Sequence, residues 1–247
     1  MTGSGSGSYS SSFVNFPAEN FVSQVLETQN VGDVNNDGIT DFVASGWSSD
    51  ETSDGSTAEH YLFLGEDGSF PTDISHTISL GPNVPDEQVR VFNVDKIKGL
   101  GDVNGDGIDD IGITSPLSFI SGTESSGVVW VYFGGESKDF SAAEPDLTLT
   151  ANTAGGLYGG GLAGGDFNGD GVNDIAVRTS QGGSADGMFD LYYGGINIDA
   201  EADSPYYTGS DLQPAAFAFG LETIEDYDGD DTDELLLPRH LVLEVAH

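Results

Sequence analysis

The chain runs to 247 residues, 37% apolar and 10% aromatic, enough to build the core of one large β domain or two small ones. Six Lys plus Arg stand against 42 Asp plus Glu, a formal charge of −36, which excludes the basic surface a nucleic-acid partner needs and repels an acidic membrane. With no Cys there is neither a disulfide nor thiolate chemistry, and no apolar run reaches the length that spans a bilayer.

Residues 1–8 are a Gly/Ser leader without the basic start or apolar stretch of a secretion signal, so folding is expected over residues 9–247 as a single domain. A β-prone segment, Tyr9–Phe16, comes first, followed by four similar units. In unit one, the apolar segment Phe21–Leu26 leads into an Asp-rich loop at 33–41. The β-prone runs Phe42–Ala44, Tyr61–Leu64 and Ile74–Leu80 follow. Unit two repeats the order with Val89–Val94, a loop at 102–110, Ile111–Ile113, Val128–Phe133 and Asp146–Thr150. Unit three has Leu157–Ala163, a loop at 166–174, Ile175–Val177, Met188–Tyr193 and a weaker fourth segment at Tyr206 and Tyr207. Unit four has Ala215–Ile224, a loop at 226–234, Leu235–Leu237 and Leu241–Val245, and no fourth segment of its own. Three of the third segments run into glycine: Gly65, Gly134-Gly135 and Gly194-Gly195.

The first aspartates of the loops, Asp33, Asp102, Asp166 and Asp226, are spaced by 69, 64 and 60 residues. Short strands separated by turn residues at this period predict an all-β fold, a β-propeller of four blades of about 60 residues each. Tyr9–Phe16 is expected to supply the fourth strand of the last blade, closing the ring and hiding an open edge.

The loops share Asp-x-Asn/Asp-x-Asp-Gly-x-x-Asp/Glu. Side-chain oxygens at positions 1, 3, 5 and 9, with a main-chain carbonyl from position 7, make a cage of hard oxygen donors suited to calcium. The expected ligands of loop one are Asp33, Asn35, Asp37, Ile39 and Asp41; those of loop two are Asp102, Asn104, Asp106, Ile108 and Asp110. Loop three offers Asp166, Asn168, Asp170, Val172 and Asp174, and loop four Asp226, Asp228, Asp230, Thr232 and Glu234. About four calcium ions are expected. An acidic hairpin turn needs Asn-Gly or Asp-Gly but not further carboxylates two residues apart, which repel one another without a cation. Position 12 lies inside the following strand, so the loop is not an EF-hand, whose Glu there is bidentate. Loop four carries Asp231 in place of the position-6 glycine and ends on Glu, so it is expected to be the most altered.

These loops, each followed by a β run, with Tyr158-Gly159 and Phe219-Gly220 ahead of two of them and Ser115-Pro116 behind another, resemble the FG-GAP repeat of integrin α-subunit propellers. The resemblance implies one blade per repeat, the calcium loop joining the blade's first two strands. It also implies an extracellular or cell-surface module that binds a protein ligand without catalysis. The integrin-type ring has seven blades, whereas this chain has repeats for four.

Other constellations are weaker. Gly159, Gly161 and Gly164 form a G-x-G-x-x-G string without a β-α-β context, and are read as close strand packing rather than a nucleotide site. His60, His76, His240 and His247 lack metal-ligand spacing and are read as loop or strand-face residues. Trp47, Trp130, Tyr206 and Tyr207, beside the polar loops at 48–57 and 121–127, are the candidates for stacking on a glycan, the alternative ligand class. Of these, Trp130 reads as core and Trp47 as surface. A polysaccharide-active enzyme built on a carboxylate pair is the remaining alternative, and no catalytic residue is assigned.

Overall fold

A computed structural model describes residues 25–48, 57–71, 73–78, 96–116, 127–150, 158–179, 188–207, 221–237 and 241–243. Unit one folds as β1 (Val25–Gly32), β2 (Asp41–Ser48), β3 (Thr57–Phe63) and β4 (His76–Ile78). Unit two contributes β5 (Lys96–Gly101), β6 (Asp110–Ser115), β7 (Val128–Tyr132) and β8 (Leu147–Thr150). Unit three contributes β9 (Leu162–Gly165), β10 (Asp174–Thr179), β11 (Met188–Tyr192) and β12 (Ser204–Tyr207). Unit four contributes β13 (Glu222–Ile224), β14 (Glu234–Leu237) and β15 (Leu241–Leu243). Each unit is an antiparallel meander with its strands paired in chain order. The described residues contain no helix, and none long and apolar enough to cross a membrane.

The hydrophobic cores lie between the sheets. One cluster joins Val31, Val43 and Leu62 of unit one to Ile97, Ile111 and Trp130 of unit two. A second joins Leu100, Val129 and Val131 to Leu162, Ile175 and Tyr192, and a third joins Ala163, Phe167 and Leu191 to Leu221 and Leu235. Every residue of β6, β7 and β10 is therefore buried, since each middle sheet has a neighbour on both faces. That burial explains why β7, Val-Val-Trp-Val-Tyr, reads as a continuous apolar run rather than an alternating one. Trp130 is core, as its strand context predicted.

The strand entering loop two lies later than the apolar run ahead of it suggested. Val89–Val94 falls outside the described residues, and the strand running into loop two is Lys-Ile-Lys-Gly-Leu-Gly. The reason is contact between backbones. A Cβ added to Gly99 would lie 2.8 Å from Val31 Cα, and one added to Gly164 would lie 2.2 Å from the Leu100 carbonyl oxygen. Main chains of β1, β5 and β9 touch at glycine, so these strands lack the apolar alternation that marks an ordinary strand. Gly164 of the G-x-G-x-x-G string belongs to this packing, and Gly161 sits against Leu221.

The first strands follow one another, β1 on β5, β5 on β9 and β9 on β13. They also converge. Lys98 of β5 donates through Nζ to both carboxylate oxygens of Glu222 in β13, at 2.8 Å each. In a straight stack of sheets about 10 Å apart, strands two units apart would stand about 20 Å from each other. The pair requires the units to curve about a common axis. Sheet one, at one end of the series, carries a second buried cluster of Ala44, Tyr61 and Phe63, with Phe42 stacked on Phe63. These residues alternate with Val43 and Leu62, so both faces of that sheet are apolar.

The proposed closing segment Tyr9–Phe16 lies outside the described residues, as does the leader. Trp47, Tyr206 and Tyr207 lie in β2 and β12, but their side chains are outside the described set; so are the polar loop residues 49–56 and 121–126 and both His240 and His247. His60 is a strand residue, within the reading of the histidines as loop or strand-face residues, but its face is an interior one. It is wholly buried in β3, its Nδ1 3.0 Å from Ser45 Oγ on the paired strand. Burial pushes its imidazole down to about 4. No sequence signal separated it from a surface histidine.

Candidate functional site

Each Asp loop connects the first two strands of its sheet: β1 to β2, β5 to β6, β9 to β10 and β13 to β14. The carboxylate at position 1 organises the turn. Asp102 Oδ1 accepts N–H bonds from Gly105 (2.7 Å) and Asp106 (3.0 Å), and its Oδ2 accepts one from Gly107 (2.7 Å). Asp33 and Asp166 do the same for Asp37 and Gly38, and for Gly169, Asp170 and Gly171. At position 3, Asn35, Asn104 and Asn168 accept from the amide of position 5. At position 5, Asp37, Asp106, Asp170 and Asp230 accept from the amide of position 7, on Ile39, Ile108, Val172 and Thr232. The main chain thus winds around its own acidic oxygens, each of which keeps lone pairs for a further partner.

The turn needs two left-handed residues, of which the sequence reading used one. Position 6 has φ near +85° to +88° in Gly38, Gly107 and Gly171, and +69° in Asp231. Position 4 is left-handed as well, at +60° in Asn36, +78° in Gly105, +74° in Gly169 and +84° in Gly229. All four are Asn or Gly, the types that enter this region most readily, and that regularity was available in the sequence.

Position 9 is a buried staple. Asp110 accepts through Oδ2 from Val103 N–H (2.8 Å) and through Oδ1 from Gly134 N–H (2.8 Å), beyond the third strand. Asp41 joins Val34 (2.9 Å) to Gly65 (2.7 Å), and Asp174 joins Phe167 (3.0 Å) to Gly194 (2.8 Å), in the same way. This explains the glycine after each third strand: a Cβ on Gly134 would lie 2.4 Å from the Asp109 carbonyl oxygen. Burial pushes the Asp110 and Asp174 carboxyls up to about 7, against the lowering effect of the backbone N–H bonds. The carboxylates at positions 5 and 1 add to the rise. Asp41 is raised by the same causes.

Sequence reasoning missed position 8. Asp109, Asn173 and Asp233 belong to one loop but grip the loop before it. Their backbone N–H groups donate to the carbonyls of Asp33 (3.4 Å), Asp102 (3.1 Å) and Asp166 (2.8 Å). Asp109 and Asp233 also accept, through Oδ2, the N–H of Asp33 (2.7 Å) and Asp166 (2.9 Å), while Asn173 Nδ2 donates to the Leu100 carbonyl (3.0 Å). Gly32, just ahead of loop one, has φ +84°, and a Cβ there would lie 2.1 Å from Asp109 Oδ2. The glycines ahead of the loops, conspicuous in the sequence, were the available signal.

Loop four keeps the plan with departures. Asp226 takes φ +28°, and the Asp231 amide reaches its carboxylate at 3.3 Å, against 2.7–2.8 Å for the position-6 amides elsewhere. Glu234 bonds Tyr227 N–H through Oε2 at 2.7 Å, but its buried Oε1 has no partner among the described residues. By strand register Leu243 matches Tyr132 and Tyr192, and two residues further on the sequence has Val245 where units two and three have Gly134 and Gly194. Tyr227 at position 2 is 73% exposed, where Val34, Val103 and Phe167 are 0% exposed. The carboxylates of Asp226, Asp228 and Asp230 lie together, their nearest oxygens within 4.8 Å of one another.

A row of antiparallel meanders, each opened by an aspartate loop and joined to the next through glycine strands, defines an all-β repeat protein of the propeller-blade type. Residues 99–132, from β5 through loop two to the end of β7, match the FG-GAP repeat. The chain is similar to integrin alpha-5 of Xenopus laevis, at 32% identity over 146 residues covering 55% of this chain and 14% of the relative. It is also similar to integrin alpha-8 of Gallus gallus, at 32% over 147 residues (56% and 14%), and to integrin alpha-IIb of Mus musculus, at 31% over 156 residues (59% and 14%). The chain thus carries an FG-GAP repeat, is integrin α-like over little more than half its length, and spans 14% of the length of these relatives.

Proposed function

We propose that this chain is a calcium-stabilised β-propeller module of four blades that recognises a protein ligand, without catalysis, at or outside a cell surface. The observation that carries the reading is the recurrence of one loop geometry in loops one to three, kept with departures in loop four, in which the main chain winds around acidic and amide oxygens. Positions 1, 3 and 5 present carboxylates and amide oxygens of pre-set orientation, and in loop four three carboxylates stand together with a buried orphan oxygen close behind in sequence. Such donors fit calcium, which takes six to eight hard oxygens in flexible geometry. Asp33, Asn35, Asp37, the Ile39 carbonyl and Asp41 would hold the ion in loop one, with the corresponding residues in the other three loops. The ion would balance charge that otherwise repels.

The Lys98–Glu222 pair across units two and four supports a ring rather than a straight array, and the two apolar faces of sheet one support a neighbour on each side. The similarity to integrin α subunits supports adhesion or protein recognition as the role. Isothermal titration with calcium checks the cation part: the expected result is about four ions per chain, with magnesium a poor competitor. Fewer than two ions, or equal affinity for magnesium, would contradict it.

A further inference from the structure

Each of loops one to three is finished by the unit that follows it. The position-8 residue of the next loop takes hold of the first aspartate, through its backbone N–H and, for Asp109 and Asp233, its carboxylate as well. A second contact comes from beyond the third strand of that next unit. Gly135 N–H donates to the Val34 carbonyl at 2.8 Å, and Gly195 N–H to the Val103 carbonyl at 2.9 Å. A third reaches the tip of loop one, where Asn36 Nδ2 donates to Glu136 Oε1 at 3.2 Å. The residue that orients a first aspartate therefore sits one position before the position-9 carboxylate of its own loop. Ordering one loop fixes a residue that holds the previous one.

We propose that Asp109, Asn173 and Asp233 are positioning residues that couple neighbouring cation loops, so that filling one loop raises the affinity of the loop before it. This rests on the calcium reading above. Asp109 and Asn173 bond the unit before their own, while Asp233 Oδ1 also accepts the Asp226 N–H of its own loop at 3.3 Å. Removing the Asp109 side chain would cost loop one its orientation as well as the coupling, and loop two the coupling alone, so the two can be read site by site. By linkage the coupling is reciprocal, each loop strengthening its partner by the same factor. Residues that orient ligands without touching the ion commonly change metal affinity 10–100-fold when removed.

The test is a calcium titration of the full chain followed by the backbone amide resonances of Gly38, Gly107 and Gly171, the position-6 residues of loops one to three. In Asp109→Ala the midpoint of Gly38 should rise about tenfold while that of Gly107, in the loop that carries the substitution, moves far less. Asp109→Asn keeps a side-chain oxygen to accept the Asp33 N–H and should recover most of the loss. Asn173→Ala should move Gly107 and spare Gly171, a second junction that stands if Asp109→Ala does not fold. Emptying loop two with Asp106→Ala should weaken loop one. A wild-type chain that titrates, with variants in which Gly38 is unmoved or moves no more than Gly107, overturns the coupling alone. Glycine amides that ignore calcium in the wild type overturn the calcium reading and the coupling with it.

Discussion

Loops two and four start from the same spacing of acidic residues and end in different states. Loop two is closed on every side: Gly105 and Gly107 let its main chain turn, Asp110 staples it to Val103 and Gly134, and unit three grips its first aspartate through Asn173. Loop four has more acid but less support. Its position-6 residue is Asp231 in a left-handed conformation, its position-9 oxygen Glu234 Oε1 is unmatched among the described residues, and Tyr227 faces solvent. Carboxylate number alone does not make a well-ordered loop; the glycines and the neighbouring unit do.

The sharpest way to test the contrast is to remove the staples with calcium absent. Asp110→Ala leaves a buried N–H on Val103 and a half-buried one on Gly134 without an acceptor and should cost about 3 kcal/mol. Glu234→Ala removes one bond and should cost about 1 kcal/mol. Urea unfolding in EDTA gives both numbers, and equal losses would mean that loop four is as well stapled as loop two.

The next effect is on pH. The Asp110 and Asp174 carboxyls titrate near 7 when folded and near 3.9 when unfolded, so between those values the folded chain holds more protons. Their stabilising contribution is complete below about pH 4 and is lost as pH rises through about 7. His60, pushed down to about 4, works the other way, being stabilising above about 6.5 and losing that contribution as pH falls to about 4. With these two carboxyls, and Asp41 raised in the same direction, against one imidazole, stability in EDTA should fall by a few kcal/mol from pH 4 to 7, since a tenfold difference in proton affinity is worth about 1.4 kcal/mol. Calcium, which favours the ionised carboxylates, should flatten or reverse the trend. Melts across that range at fixed salt decide it, and a chelated chain more stable at pH 7 than at pH 5 would show that the buried carboxyls do not control the balance.

Repeat, strand content and loop positions were readable because Asp, Asn and Gly recur at fixed offsets that few other structures need. What was not readable depends on neighbours. Gly99 and Gly164 sit where two backbones meet, so the strands around them carry no apolar alternation, and the one entering loop two was placed too early. Position 8 varies among Thr40, Asp109, Asn173 and Asp233, and the backbone partner of the last three lies in the previous loop, so a motif aligned loop by loop hides it. His60 is a core residue by virtue of Ser45 on the opposite strand, a pairing set by register.

A smaller effect tests the turn itself. Asp231→Gly should relieve the left-handed strain and stabilise the chain by about 0.5–1 kcal/mol, while Gly107→Asp in loop two should lose a similar amount. If Asp231→Gly is neutral or destabilising, as judged by chemical unfolding, the side chain contributes something beyond its conformation.

The central claim, that cations in these loops hold the units together, is tested most directly by thermal melting of the full chain with calcium, with magnesium and with EDTA. A site filled at 100 times its dissociation constant stabilises by about 2.7 kcal/mol, so four sites would together approach the 5–15 kcal/mol margin of a typical domain. The account predicts a single high transition in calcium, poor rescue by magnesium, and a transition in EDTA that is much lower or absent. A melting temperature that is the same in calcium and in EDTA would contradict it.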